Sequence, residues 1–232
     1  MVSLLLVFHI TVATTGMLSG VAAMMFAKGS PKHRASGKVF AISMILMGLT
    51  AMYLAALKSI MLSVLGGALM VYLVATAWLA VKPQWQKMPF VGLTALLCSL
   101  LIGFGYFYAG MATAGSESGL SKDGLPPSVF YFFGCVSLIA VACDIKRLFA
   151  QKNHFSPHII QHVWRIGFAM FMATASLFLG QSQVFPAAMQ TMALLMSPVL
   201  SVMLFFVFWL IKVSIGRRFN IKMRSRFIKA SA

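Results

Sequence analysis

His158 and His162 stand four residues apart at the mouth of a long apolar run, with Arg165 three residues further on. On a helix such a pair of imidazoles shares a face, and that spacing suits coordination of a metal ion, although two ligands alone do not define a site. In the first turn of a helix the macrodipole disfavours an imidazolium, so the neutral, ligating form is favoured there. Arg165 has two readings. It is either a topology anchor that snorkels to the interface, or one half of an ion pair with Asp144, the only acid inside an apolar run. The second reading follows from the cost of an unpaired ion in lipid.

Three further polar groups deserve the same weighing. His9 lies on a stripe with Ala13, Gly16, Gly20, Ala23 and Ala27, which recur every three or four residues. Small residues at that spacing allow close helix approach, so His9 faces protein. It is either a buried, hydrogen-bonded histidine or a haem or metal ligand or proton relay. Gln181 and Gln183 are its expected neighbours on the outer side. In "AKGSPKHRASGKVF", His33 and Arg34 sit in a loop just before the second apolar run. They are either headgroup-facing basic residues or groups turned inward. His33, Arg34, Asp144, His162 and Arg165 all belong to the same end of their runs, which makes that end the candidate polar site for a ligand.

The elements that position these groups are apolar runs. Of 232 residues, 60% are hydrophobic and 9% charged, against roughly 25% charged in a soluble domain. That excludes a water-soluble globular protein. Seven runs reach the length of about 20 residues that a spanning helix needs: 3–27, 38–57, 60–81, 90–110, 128–149, 157–180 and 190–212. The first is too long and too poor in basic residues for a signal peptide. Trp85 reads as an interfacial anchor. Ser156 and Pro157 suit the cap and first turn of the sixth helix, and Pro198 is expected to bend the seventh.

Charge sets the direction of threading. With the N-terminus outside, one face of the membrane holds Lys28, Lys32, Arg34, Lys38, Lys82, Lys87, Lys146, Arg147, Lys152 and the basic tail. The other face holds only Lys58 and Lys122. The positive-inside rule therefore predicts an all-α bundle of seven crossings, N-terminus out and C-terminus in, in the inner membrane of a cell. Residues 1–213 form the transmembrane domain and 214–232 a basic cytoplasmic tail. In that tail Ile215, Phe219, Met223 and Phe227 recur every four residues among basic ones. The pattern suits either an amphipathic helix on anionic lipids or a disordered tail.

The net charge of +16 is explained by these loops, not by nucleic acid, since there is no soluble basic domain to hold it. Cys98, Cys135 and Cys143 form no C-x-x-C pair and are read as small packing residues. No G-x-S-x-G elbow or diagnostic triad spacing appears.

Two stretches, "HITVATTGMLSGVAAMMFAKGSPKHRASGKVFAISM" and "HVWRIGFAMFMATASLFLGQSQVFP", resemble a group of uncharacterised bacterial multi-pass membrane proteins. The resemblance implies a membrane helix bundle and carries over no activity. The first stretch also distantly resembles b-type cytochromes and ferric reductases, which would imply haem b held by histidines. This chain departs from that group in lacking two His pairs at opposite depths. Three functions are consistent with the sequence: binding of haem, a metal ion or a small ligand through histidines in the bundle; a small-solute transporter or channel with its polar site at the inner side; or a scaffold or assembly factor.

Overall fold

Among the described residues, seven α-helices carry the chain: α1 (Val2–Met25), α2 (Pro31–Leu57), α3 (Met61–Leu79), α4 (Pro89–Ala114), α5 (Pro127–Leu148), α6 (Ile159–Phe178) and α7 (Met192–Ala230). The computed structural model describes residues 2–82, 88–122, 124–149 and 159–230, apart from the side chains of 89 and 217–230. Trp85, Asp123, Lys152, Ser156, Pro157 and His158 lie outside the described residues. Among those described there is no strand, in keeping with the all-α expectation. Helices α1 to α5 and the Met192–Gly216 part of α7 are long and apolar enough to cross a membrane, which marks a multi-pass membrane protein. Helix α6 does not join these six. Gln161, His162 and Arg165 in its first half lower its apolar content, although its 20 residues reach ~30 Å at ~1.5 Å per residue.

Helix boundaries follow local chemistry. Helix α2 starts at Pro31, seven residues before the expected boundary, because Ser30 caps it: the Ser30 hydroxyl accepts from the His33 N–H at 3.2 Å, and Pro31 occupies the first turn. His33, Arg34 and Lys38 are therefore helical residues and not loop residues. At the other end, Ile60 N–H donates to the Ala55 carbonyl at 3.0 Å and Ser59 N–H to Ala56 at 3.1 Å. This is a Schellman closure, and it holds Ser59 in the left-handed region at φ 55°, where glycine is the usual residue. Helix α7 runs on through Pro198 and past residue 213, where a domain boundary was expected. Proline cannot donate to the carbonyl four residues back, and the Ser197 hydroxyl takes over that role, donating to Leu194 O at 2.9 Å.

The chain divides into two compact units, Met1–Pro157 and His158–Ala232. In the first, helices adjacent in sequence pack together. Gly16 and Gly20 are the buried residues of α1, and a Cβ at Gly16 would stand 2.5 Å from Met44 Cε of α2. Between α2 and α3 the backbones themselves touch: a Cβ on Gly48 would lie 2.9 Å from Gly67 O, and one on Gly67 would lie 2.6 Å from Gly48 O. Glycine at both positions is what lets these helices meet, as expected where lipid provides no hydrophobic drive and dispersion contacts must. In the second unit, α6 packs on α7, with the Phe206 ring seated against Gly167.

Large apolar side chains cover the outer faces, among them Leu4, Leu18, Phe90, Leu101, Phe104 and Leu204. A water-soluble surface seldom tolerates so much apolar area; hydrocarbon solvates it at no cost. Cys98 and Cys135 are also exposed, and Cys143 half-buried. The first two are therefore not core packing residues, as a weakly polar thiol is readily accommodated on an apolar outer face.

Candidate functional site

Each unit buries one group that is costly to take out of water, Asp144 in the first and Arg165 in the second. Asp144 is 1% exposed, one turn from the C-terminus of α5. The Tyr72 hydroxyl of α3 donates a hydrogen bond to its carboxylate. A carboxylate removed from water demands such donors, and a bond to a charged acceptor is among the stronger ones. The depths agree. Asp144 stands four residues from the end of α5 and Tyr72 seven from the end of α3, about 6 and 10 Å along the axes. Alternating connectivity makes α3 and α5 run in the same direction, so both ends share a side.

Other hydroxyls are buried in the same unit. Ser99 of α4 and Ser137 of α5 are fully buried and donate to carbonyls of their own helices, Leu96 O and Phe133 O, at 3.0 Å each. Tyr106 of α4 is also fully buried. Its ring stacks on Phe133 with centroids 5.5 Å apart.

The histidines are placed separately. His9 Nδ1 lies 2.8 Å from Thr50 Oγ1 of α2. That hydroxyl spends its single proton on the carbonyls of Leu46 and Met47, at 2.9 and 3.0 Å. It therefore accepts from His9, whose Nδ1 carries the hydrogen. In the second unit the Gln183 amide donates to Gln181 Oε1 at 2.9 Å. His33 Nδ1 donates to the Ala23 carbonyl at 2.9 Å, while the Lys28 ammonium reaches Met24 O at 2.5 Å and Ala23 O at 3.2 Å. Both residues close the carbonyl end of α1, where positive charge and donors are favoured. Desolvation draws the Lys28 pKa below the ordinary lysine value. Arg34 is exposed.

In the second unit, Arg165 is 2% exposed, with its guanidinium carbon 5.3 Å from the Trp164 ring centre. The Trp164 indole N–H donates to Gln161 Oε1 at 2.7 Å. His162 is half-buried one turn earlier.

Within the first unit Asp144 is joined to Tyr72, and His33 to the end of α1. His162 and Arg165 belong to the second unit. Tyr72 escaped the sequence reading because a tyrosine in an apolar run looks like packing; its signal was depth matched to that of Asp144. The histidine spacing also reaches one step further back than the pair His158 and His162. His154 precedes His158 by four residues, and both lie outside the described residues. Among the described residues no three His, Cys, Asp or Glu side chains gather as a metal site.

No protein-family profile, no curated protein and no solved structure matches this chain.

Proposed function

We propose that this protein is an inner-membrane protein of seven crossings, N-terminus out and C-terminus in, that passes a small solute across the bilayer. Asp144 is the acceptor at the centre of its polar site and Tyr72 its positioning partner. The observation that carries this reading is Asp144 itself, a carboxylate 1% exposed inside an apolar helix and held by a phenol. Ionisable residues at such depth face protein and mark solute or proton routes far more often than they serve stability. A carboxylate is an acceptor for a cation or for a donor group of a solute, in competition with the Tyr72 hydroxyl.

The basic loops support this direction. Were α6 not to cross, Lys212 and the tail with six further basic residues would face outward, against the bias of the preceding loops. Anionic lipids at the inner face are the partners of that tail.

Purified protein in liposomes on a solid-supported membrane should give transient currents on a pH jump or on addition of one of a panel of small amino acids, organic cations and sugars. Asp144→Asn, reconstituted at equal amount, should lose them. Absence of any wild-type current across the panel, or full retention in Asp144→Asn, would reject the reading.

A second reading, haem b or a metal ion at a histidine, is favoured by one observation. The His33 Nδ1–H is held by Ala23 O at 2.9 Å, which leaves Nε2 as the ligating nitrogen. Soret absorption or stoichiometric metal in the purified protein would support it; a colourless, metal-free preparation after reconstitution with either would remove it.

A further inference from the structure

Arg147 stands in the last turn of α5 beside Lys146, and the two side chains behave differently. A topology anchor carries its charge out to water and headgroups. Lys146 fits that role, being exposed. Arg147 turns inward: its Nε and Nη1 have no accessible surface. The guanidinium is seated on Gly92 of α4, a buried glycine. A Cβ built on Gly92 would overlap Arg147 Nη2 and stand 3.2 Å from its Cζ and 2.8 Å from Leu148 Cδ2. The glycine is a notch that the end of Arg147 fills. Gly92 lies three residues from the start of α4 and Asp144 four from the end of α5, about 5 and 6 Å in. These helices are antiparallel neighbours, so both depths are counted from the same side. A helical side chain leans toward the N-terminus of its helix and covers the turn before its own. Arg147 therefore covers Cys143 and Asp144, four and three residues back on α5, and the carboxylate beneath it is 1% exposed. Burying a guanidinium is costly, and the solvated layer that holds Lys146 is within reach of the same long side chain. Two positions are thus open to Arg147, in the Gly92 notch or out among the headgroups.

We propose that Arg147 is a latch on the Asp144 site. Seated at Gly92 it closes the site toward the membrane face that carries Lys82 and Lys146; swung out it opens the site to that face. The proposal rests on the reading of Asp144 as the acceptor for a solute, and adds the side chain that governs access to it.

Cys143 is a reporter already in place, half-buried and one turn before Arg147. The full chain with Cys98→Ala and Cys135→Ala is reconstituted in liposomes, and modification of Cys143 by methyl methanethiosulfonate is followed by mass spectrometry. The reagent is neutral, so a change of charge nearby does not alter its local concentration. Arg147→Ala removes the latch. Gly92→Ala evicts it with its charge retained, and the atoms displaced are the ends of two long side chains. Each variant should raise the rate by about tenfold or more, as the covered state loses population. An unchanged rate in either variant overturns the proposal. Ser99→Cys, in a chain whose three native cysteines are Ala, controls for packing. Ser99 is fully buried on the same face of α4 as Gly92, seven residues deeper. It should stay slow in both variants; a rise as large as that at Cys143 would mean a loosened α4–α5 crossing and overturns the latch. Flux separates the two claims. A faster Cys143 with no wild-type current would keep the latch and remove the transport reading. Currents lost in Asp144→Asn with an unchanged Cys143 would do the reverse.

Discussion

Asp144 and Tyr72 show what a carboxylate in an apolar helix asks of its neighbours. Desolvation must be offset by donors, and the phenol of α3 is one. Tyr72→Phe deletes that donor and leaves the carboxylate less satisfied, so stability should fall by about 1–3 kcal/mol, read by thermal unfolding in detergent. Asp144→Asn keeps shape and a polar partner and should fold at near-normal yield. Asp144 was legible in the sequence because a lone acid in a hydrocarbon-length run has no cheap explanation. Tyr72 was not, because depth alone does not name a partner: pairing across two helices also depends on rotation, which a linear pattern does not carry. The histidines teach the converse. His9 and His33 stood out as chemistry-bearing residues, yet each ring spends Nδ1 on a local need: the Thr50 hydroxyl for one, the end of α1 for the other.

Helices were legible to within a turn or so wherever apolar length decided them. They were misjudged where capping decided them. Helix α2 gains its first turn from Ser30 and Pro31, two residues whose signal lay in plain view within a loop that looked merely basic. The α2–α3 hairpin offers a paired test with opposite signs. Ser59 is held at φ 55°, a conformation that costs a non-glycine residue about 1–2 kcal/mol. Ser59→Gly should therefore stabilise the protein by a sizeable part of that. Gly67 leaves no space, as Gly48 O lies 2.6 Å from its missing Cβ, so Gly67→Ala should destabilise by about 1–3 kcal/mol through forced separation of the backbones. Chemical denaturation of the two variants in parallel reads both. The small-residue stripe on α1 announced its own close approach, whereas the Gly48–Gly67 crossing needed both helices to be seen together.

Across the full chain, composition alone fixes the solvent: apolar side chains face outward over most of the bundle, and the basic residues gather in alternate connections. Six helices meet the length and apolarity of a membrane span. The seventh, α6, carries the polar residues that a functional helix would carry and a structural one would avoid. Whether the chain ends on the side where it began turns on α6, and with it the side on which the Lys212-led tail lies. Dual reporter fusions in intact cells read this: an enzyme active only outside the cytoplasm and a fluorophore active only inside it, each placed at Met1 and at Ala232. The reading of seven crossings predicts that the first reporter works at the N-terminus and the second at the C-terminus. Both termini lighting the same reporter would contradict it.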